Sequence, residues 1–243
     1  MRESPGDDAP GTFGFRNDVV TLAVGVGGSL RVLGAEGAKG GAGGEVTAVV
    51  AGLATRSRAM IQYGGPGAVE ILLEPWAAFA LFGPSMQGLA DSVASLASVL
   101  GARFGELGDA LAGTSEWQKR CAALDSVLAS WAAAGPVGSP QVRDAWRTLR
   151  RTGGTVPIGQ LAGQSGWCWR LFEDRFRHQT GLTPKKAART VRLRWALELL
   201  ARGSRLADIA ARCGFSDQAH LCREVKAMTG RTARQLRHAS AAD

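Results

Sequence analysis

The 243-residue chain has no histidine before His178, one tyrosine, and four cysteines with no Cys-x-x-Cys pair among them. Cys121, Cys168, Cys213 and Cys222 therefore read as reduced, unpaired thiols. A cluster of Cys213, His220 and Cys222 lacks the close ligand pairs that zinc sites bring. No paired-carboxylate motif, no Gly-x-Ser-x-Gly elbow and no phosphate loop ending in Gly-Lys-Ser/Thr is present. These gaps argue against an enzyme and against a bound metal or cofactor. No apolar run approaches the roughly 18 residues of a membrane span. The polar, acidic first fifteen residues do not read as a secretory leader, so a cytoplasmic protein without a membrane partner is expected.

Charge is plentiful and unevenly placed. Residues 1–140 hold 9 basic and 13 acidic side chains, a balance of −4, whereas residues 141–243 hold 20 and 8, a balance of +12. All the surplus positive charge thus lies in the last hundred residues, which points to a polyanion partner, most often nucleic acid.

Glycine and proline punctuate the chain at "AAAGPVGSPQV", residues 132–142. Upstream, residues 18–33 and 45–63 are rich in Val, Thr and Ile and read as strands. The glycine-rich 34–44 between them reads as a flexible connection. Val69–Leu73 suits another strand, Pro75 the first turn of a short helix, and Gly83 its end. Residues 89–110 and 115–133 read as two helices. In the second, Trp117, Cys121, Leu124, Leu128 and Trp131 form an apolar stripe. The expectation is an α+β domain over residues 1–135, a linker over 136–140 and an all-α domain over 141–243.

Within that all-α domain one pattern occurs twice. Ile158, Leu161, Ala162 and Gly166 recur 48 residues later as Leu206, Ile209, Ala210 and Gly214. Past the turn the offset is 49, and Phe176, Gly181 and Thr183 recur as Val225, Gly230 and Thr232. A short helix, a glycine turn and a second helix make a helix-turn-helix, in which the second helix enters the major groove. The two units span about residues 158–180 and 206–229. A linker helix over 184–202 joins them, with Thr183 as cap, Pro184 in its first turn and Gly203 at its end. Its length of roughly 28 Å is of the order of the ~34 Å between successive major-groove turns.

At ~100° per residue, Val191, Trp195 and Leu199 share one face of that helix, and Leu193, Leu197 and Leu200 nearly the opposite one. Such a helix packs between two bodies. Lys185, Arg189 and Arg192 fall between the faces, where they either meet DNA phosphate or form a solvated edge.

"LADIAARCGFSDQAHLCREVKAMTGRT" and "GLTPKKAARTVRLRWALELL" closely resemble the second helix-turn-helix and the linker helix of the AraC/XylS family of bacterial transcription regulators. The resemblance covers about residues 141–238. It implies a seven-helix domain whose two units, joined by a long linker helix, read adjacent major grooves of double-stranded DNA beside RNA polymerase. More faintly, "VEILLEPWAAFALFG" resembles a strand, proline turn and helix in the α+β domain of some such regulators. That domain is the place for a small-molecule effector or for homodimer formation.

Carried over by position, the first recognition helix presents Trp169, Arg170, Glu173 and Asp174. The second presents Gln218, Ala219, Cys222 and Arg223, with Ser216 expected as its N-cap. Cys168 stands where a capping serine is usual, and Glu173-Asp174 places two acids where polar or basic residues are frequent. Carboxylates accept from cytosine N4 but are repelled by phosphate, so Asp174 either faces DNA or pairs with Arg177 or His178. The alternative to a sequence-specific regulator is a DNA-binding or protein-interaction module with degenerate base readout.

Overall fold

The computed structural model describes residues 2–5, 11–14, 16–33, 45–56, 60–63, 67–114 and 116–239. It divides into two compact units. One is Met1–Leu53 with Arg58–Gly138 and His178–Gly181; the other is Ala54–Ser57 with Ser139–Arg177 and Leu182–Asp243.

The first unit is built on two antiparallel sheets. Its strands are β1 (Arg2–Pro5), β2 (Gly11–Gly14), β3 (Val20–Val26), β4 (Leu30–Leu33), β5 (Ala48–Ala51), β6 (Met60–Tyr63), β7 (Gly67–Leu73) and β8 (Val93–Ser95). The larger sheet runs β1-β7-β3-β5-β8 and the smaller β2-β6-β4. β3 is the middle strand, with Leu22 opposite Val50 and Ile71. Val20 to Val24, Thr21 among them, are all buried, as a mostly apolar strand covered on both faces should be. Ala23, Val49, Ala51, Ala68 and Val93 of the larger sheet cluster with Leu30 and Val32 of the smaller one.

The helices of this unit follow. After β7, Pro75 opens α1 (Pro75–Phe82), and Gly83, at φ 54°, closes it, as the sequence led us to expect. Next come α2 (Met86–Leu89), α3 (Leu96–Leu100), α4 (Phe104–Ala112) and α5 (Trp117–Ala134). In α5 the stripe buries Leu124, Leu128 and Trp131. The Trp131 indole N–H donates to Glu106 on α4 at 2.7 Å.

Three expectations are corrected here. Residues 18–33 are not one strand: the chain turns at Gly27 (φ 66°) and passes from the larger sheet in β3 to the smaller in β4. Residues 45–63 likewise split into β5 and β6, which belong to different sheets. Residues 89–110 are not one helix, because Val93–Ser95 pairs with β5 as an edge strand. Gly101, at φ 59°, then separates α3 from α4. The glycine-rich connection 34–44 lies outside the described residues.

The second unit is helical. It holds α6 (Pro140–Arg151), α7 (Ile158–Ser165), α8 (Trp169–Thr180), α9 (Pro184–Ala201), α10 (Leu206–Arg212), α11 (Gln218–Thr229) and α12 (Ala233–Ala239). α9 is the linker helix, capped by the Thr183 hydroxyl, which accepts from the Lys186 N–H at 3.4 Å. Gly203, at φ 79°, lies just past its end. Phe172 and Phe176 of α8 are fully buried; their rings lie 5.8 Å apart, and Trp146 of α6 stands 6.2 Å from Phe176.

α9 touches α6 and also α10, α11 and α12. The division of its two apolar stripes differs from the helical-wheel expectation. Leu199 joins Leu193 and Leu200, not Val191, in a cluster with Ile209, Leu221, Val225 and Met228. Leu199 lies in the last turn of the helix, where α10 and α12 close over it. Gly154 ties α6's trailing loop to α9. At φ 74°, a Cβ there would stand 2.3 Å from the Ala188 carbonyl oxygen, so only glycine fits.

Candidate nucleic-acid interface

In the first helix-turn-helix, α7 ends at Gly166 in the left-handed conformation (φ 72°). The Ser165 hydroxyl donates to the Ala162 carbonyl at 2.6 Å and accepts the Trp167 N–H at 3.1 Å, which fixes the turn. α8 then starts at Trp169. Because Phe172 and Phe176 anchor it inward, the positions between them face outward. Trp169 is 50% exposed. Arg170 and Asp174 are exposed and Glu173 half-buried. Asp174 pairs with Arg177 one turn on, at 3.8 Å, one of the two partners its sequence context suggested.

The second unit repeats the design. Gly214 (φ 69°) turns the chain out of α10, and α11 follows with Leu221, Val225 and Met228 buried. Gln218, Ala219 and Arg223 are exposed and Cys222 is half-buried against the core. The N-cap differs from expectation. Asp217, not Ser216, occupies it, and its carboxylate accepts the His220 backbone N–H at 2.6 Å. Ser216 stands one residue outside and donates from its hydroxyl to the Asp217 carboxylate at 3.2 Å. The His220 N–H, with the Ser216 hydroxyl behind it, holds the Asp217 carboxyl below its ordinary value of 3.8.

Two helices therefore carry corresponding outward faces. Trp169, Arg170, Glu173, Asp174 and Arg177 on α8 match Gln218, Ala219, Cys222, Arg223 and Lys226 on α11, position by position at an offset of 49. The buried pair Phe172 and Phe176 matches Leu221 and Val225 at the same offset.

The three cations of α9 fare differently from one another. Lys185 is exposed. Arg189 forms two hydrogen bonds to the Glu224 carboxylate of α11, the outer one at 3.1 Å. Arg192 donates to the Gly154 carbonyl at 3.0 Å and to the Gly214 carbonyl at 3.5 Å, and its guanidinium lies 5.8 Å from the Phe215 ring centre. Of the expected phosphate contacts, Arg189 and Arg192 are thus engaged inside the domain. They hold α9 to α11, to the turn after α10 and to the loop ahead of α7. No sequence pattern links Arg189 to Glu224, 35 residues away. The Asp217 cap was legible in "FSDQAH", where two residues of capping type stand side by side.

Among the described residues all four cysteines are free. Cys213 is fully buried, and burial pushes its thiol up to about 11. Among the same residues no helix is long and apolar enough to cross a membrane.

Residues 161–239 match the family described as "Helix-turn-helix domain". Over 66 residues the chain is 36% identical to an uncharacterized HTH-type transcriptional regulator, YbfI, of Bacillus subtilis, a match covering 27% of this chain and 24% of the relative. The chain therefore spans about a quarter of the length of the curated relative it matches. Among solved structures it is similar to ToxT from Vibrio cholerae, at 8% identity and a TM-score of 0.48 over 93% of both chains. It is also similar to the DNA-binding domain of AdpA in complex with a target DNA, at 25% identity and a TM-score of 0.40. That match covers 43% of this chain and 96% of the other.

Proposed function

We propose that this chain is a transcription regulator of the AraC/XylS type acting on double-stranded DNA in the cytoplasm, a reading supported by the helix-turn-helix family match over residues 161–239. α8 and α11 lie in two adjacent major-groove segments. The observation that carries the reading is the pair of corresponding exposed faces, 49 residues apart, each backed by a buried apolar pair. Two such faces in a segment of charge +12 suit a bipartite site on a polyanion.

In this reading Trp169, Arg170, Glu173 and Asp174 face one half of the site, and Gln218, Ala219, Cys222 and Arg223 the other. Arg223 is suited to guanine and Gln218 to adenine, while Ala219 and Cys222 suit a thymine methyl. Lys185 is the α9 cation placed to meet phosphate. Residues 1–135 form a sensory or association domain for a small-molecule effector or a second copy, 136–140 a linker, and 141–243 the DNA-binding domain. RNA polymerase is the expected partner at a promoter.

The test is to recover genomic fragments bound by the full chain and read off their shared site. Two halves about one helical turn apart are expected. A recovered pool with no shared sequence overturns the sequence-specific reading. One observation favours a second reading, a module with degenerate base readout: the outward face of α8 carries two carboxylates, one already paired to Arg177. Equal affinity for a recovered fragment and its scrambled version would establish that reading instead.

A further inference from the structure

A cleft of about 400 Å³ opens in the second unit between the start of α7, the first half of α9 and the flank of α11. Three cations, Lys185, Arg189 and Arg192, line it against one carboxylate, Glu224, leaving two positive charges over. Glu224 is committed to Arg189, so the surplus belongs to Lys185 and Arg192. The Arg192 bonds go to carbonyl oxygens, which leave its charge uncompensated. Its Nε–H is fully buried and meets no acceptor, so the guanidinium can meet an occupant only through its outer nitrogens.

Both helix starts at the cleft point the same way. α7 begins after Pro157, which has no side-chain acceptor to cap it, and its first turn holds no acid. α9 carries Lys185 and Lys186 in its first turn, again with no acid. Lysines there add to the positive end of the helix dipole instead of offsetting it. An anion in the cleft relieves the surplus charge and the uncapped helix start together.

The other walls are mostly apolar, with Val156, Pro157 and Ile158 on one side and Phe215 on the other, and with Thr155 and His220 as the remaining polar side chains. The volume falls in the range of small-molecule sites and exceeds the needs of a bare phosphate. We propose that this cleft binds a small organic anion, its carboxylate or phosphate ester held by Lys185 and Arg192 and its apolar body against Phe215 and Ile158. The occupant touches both helix-turn-helix units and lies outside the first unit altogether. The proposal rests on the cleft and not on the DNA-binding reading, because it is tested without DNA.

The experiment is calorimetric titration of the full chain with phenyl phosphate and with benzoate, using benzyl alcohol as the uncharged counterpart. Saturable one-to-one binding of either anion, and none of the alcohol, is expected. Lys185→Ala should weaken the anion about tenfold or more, as the loss of a charged hydrogen bond does. Lys186→Ala, on the same turn but outside the cleft, should leave it unchanged. Lys185 is exposed, so its replacement does not endanger folding. The proposal fails if neither anion binds, if the alcohol binds equally well, or if the two lysine variants behave alike. If the anions do not bind and Lys185→Ala lowers the salt slope of DNA binding by about one, the cleft seats a DNA phosphate and the free-anion site is refuted.

Discussion

Phe172 and Phe176 show how single side chains set the outward face of a helix. Both are fully buried, with 0% of either residue exposed and their rings 5.8 Å apart. They fix the roll of α8 and thus which residues look outward. Phe176→Ala should cost about 3–5 kcal/mol of unfolding free energy, the range for truncating a buried phenylalanine. Urea denaturation of the full chain followed by tryptophan fluorescence would check it, since Trp146 lies against Phe176. A loss under about 1 kcal/mol would mean that the ring is not a core anchor.

Asp217 offers a residue-scale prediction in pH. Its carboxyl is held below its ordinary 3.8 by the hydrogen bond from His220. A depressed carboxyl stabilises the fold above its ordinary value and loses that contribution as pH falls through the folded value. Stability should therefore drop more steeply in the wild type than in Asp217→Asn, which has no proton to gain, as pH is lowered through 3.8 and below. Parallel curves from thermal melts across that range would show that the cap does not titrate.

At the scale of elements, the outward faces of α8 and α11 differ in charge. α11 presents Arg223 where α8 presents Asp174, at corresponding positions. Arg223→Ala should weaken DNA binding by about 1–3 kcal/mol if the guanidinium makes a bidentate base contact. Asp174→Asn should act in the opposite direction, tightening binding several-fold, because it removes a carboxylate from a surface facing phosphate. Fluorescence anisotropy on a recovered site measures both. Tighter binding by Arg223→Ala, or weaker by Asp174→Asn, contradicts the assignment of these faces.

The helices of the second unit were legible because each carries its own signals. Thr183-Pro184 opens α9, glycines end α7 and α11, and the buried positions repeat at helical spacing. The sheets were less so. β8 is three residues long and is a strand only because β5 offers it an edge, a long-range pairing that no local pattern announces. β3 and β4 read as one run because both are apolar, and only the turn at Gly27 separates them. The positions carried over from the resemblance lie on the exposed or half-buried sides of α8 and α11. The internal roles of Arg189 and Arg192 did not, since their partners lie 22 to 38 residues away.

For the helical unit as a whole, the proposed reading of two grooves requires that α8 and α11 be held at one spacing. α9 is pinned to α11 by Arg189 and Glu224, while Arg192 joins it to the loops at Gly154 and Gly214. A unit fixed in this way engages two grooves only when both lie on one side of the duplex. Inserting about 5 base pairs between the halves of a recovered site turns the second half by roughly half a helical turn, out of reach. Affinity should then fall to that of a single half-site, by about a hundredfold or more if each half supplies at least ~3 kcal/mol. Inserting about 10 base pairs restores the facing but adds ~34 Å, and the rigid unit should not recover. Arg192→Met is the matching protein change. With the clamp cut, discrimination between the native spacing and one lengthened by a single base pair should shrink, while affinity for an isolated half-site stays the same. Equal affinity for native and half-turn sites in the wild type would mean that the two helices do not read DNA together.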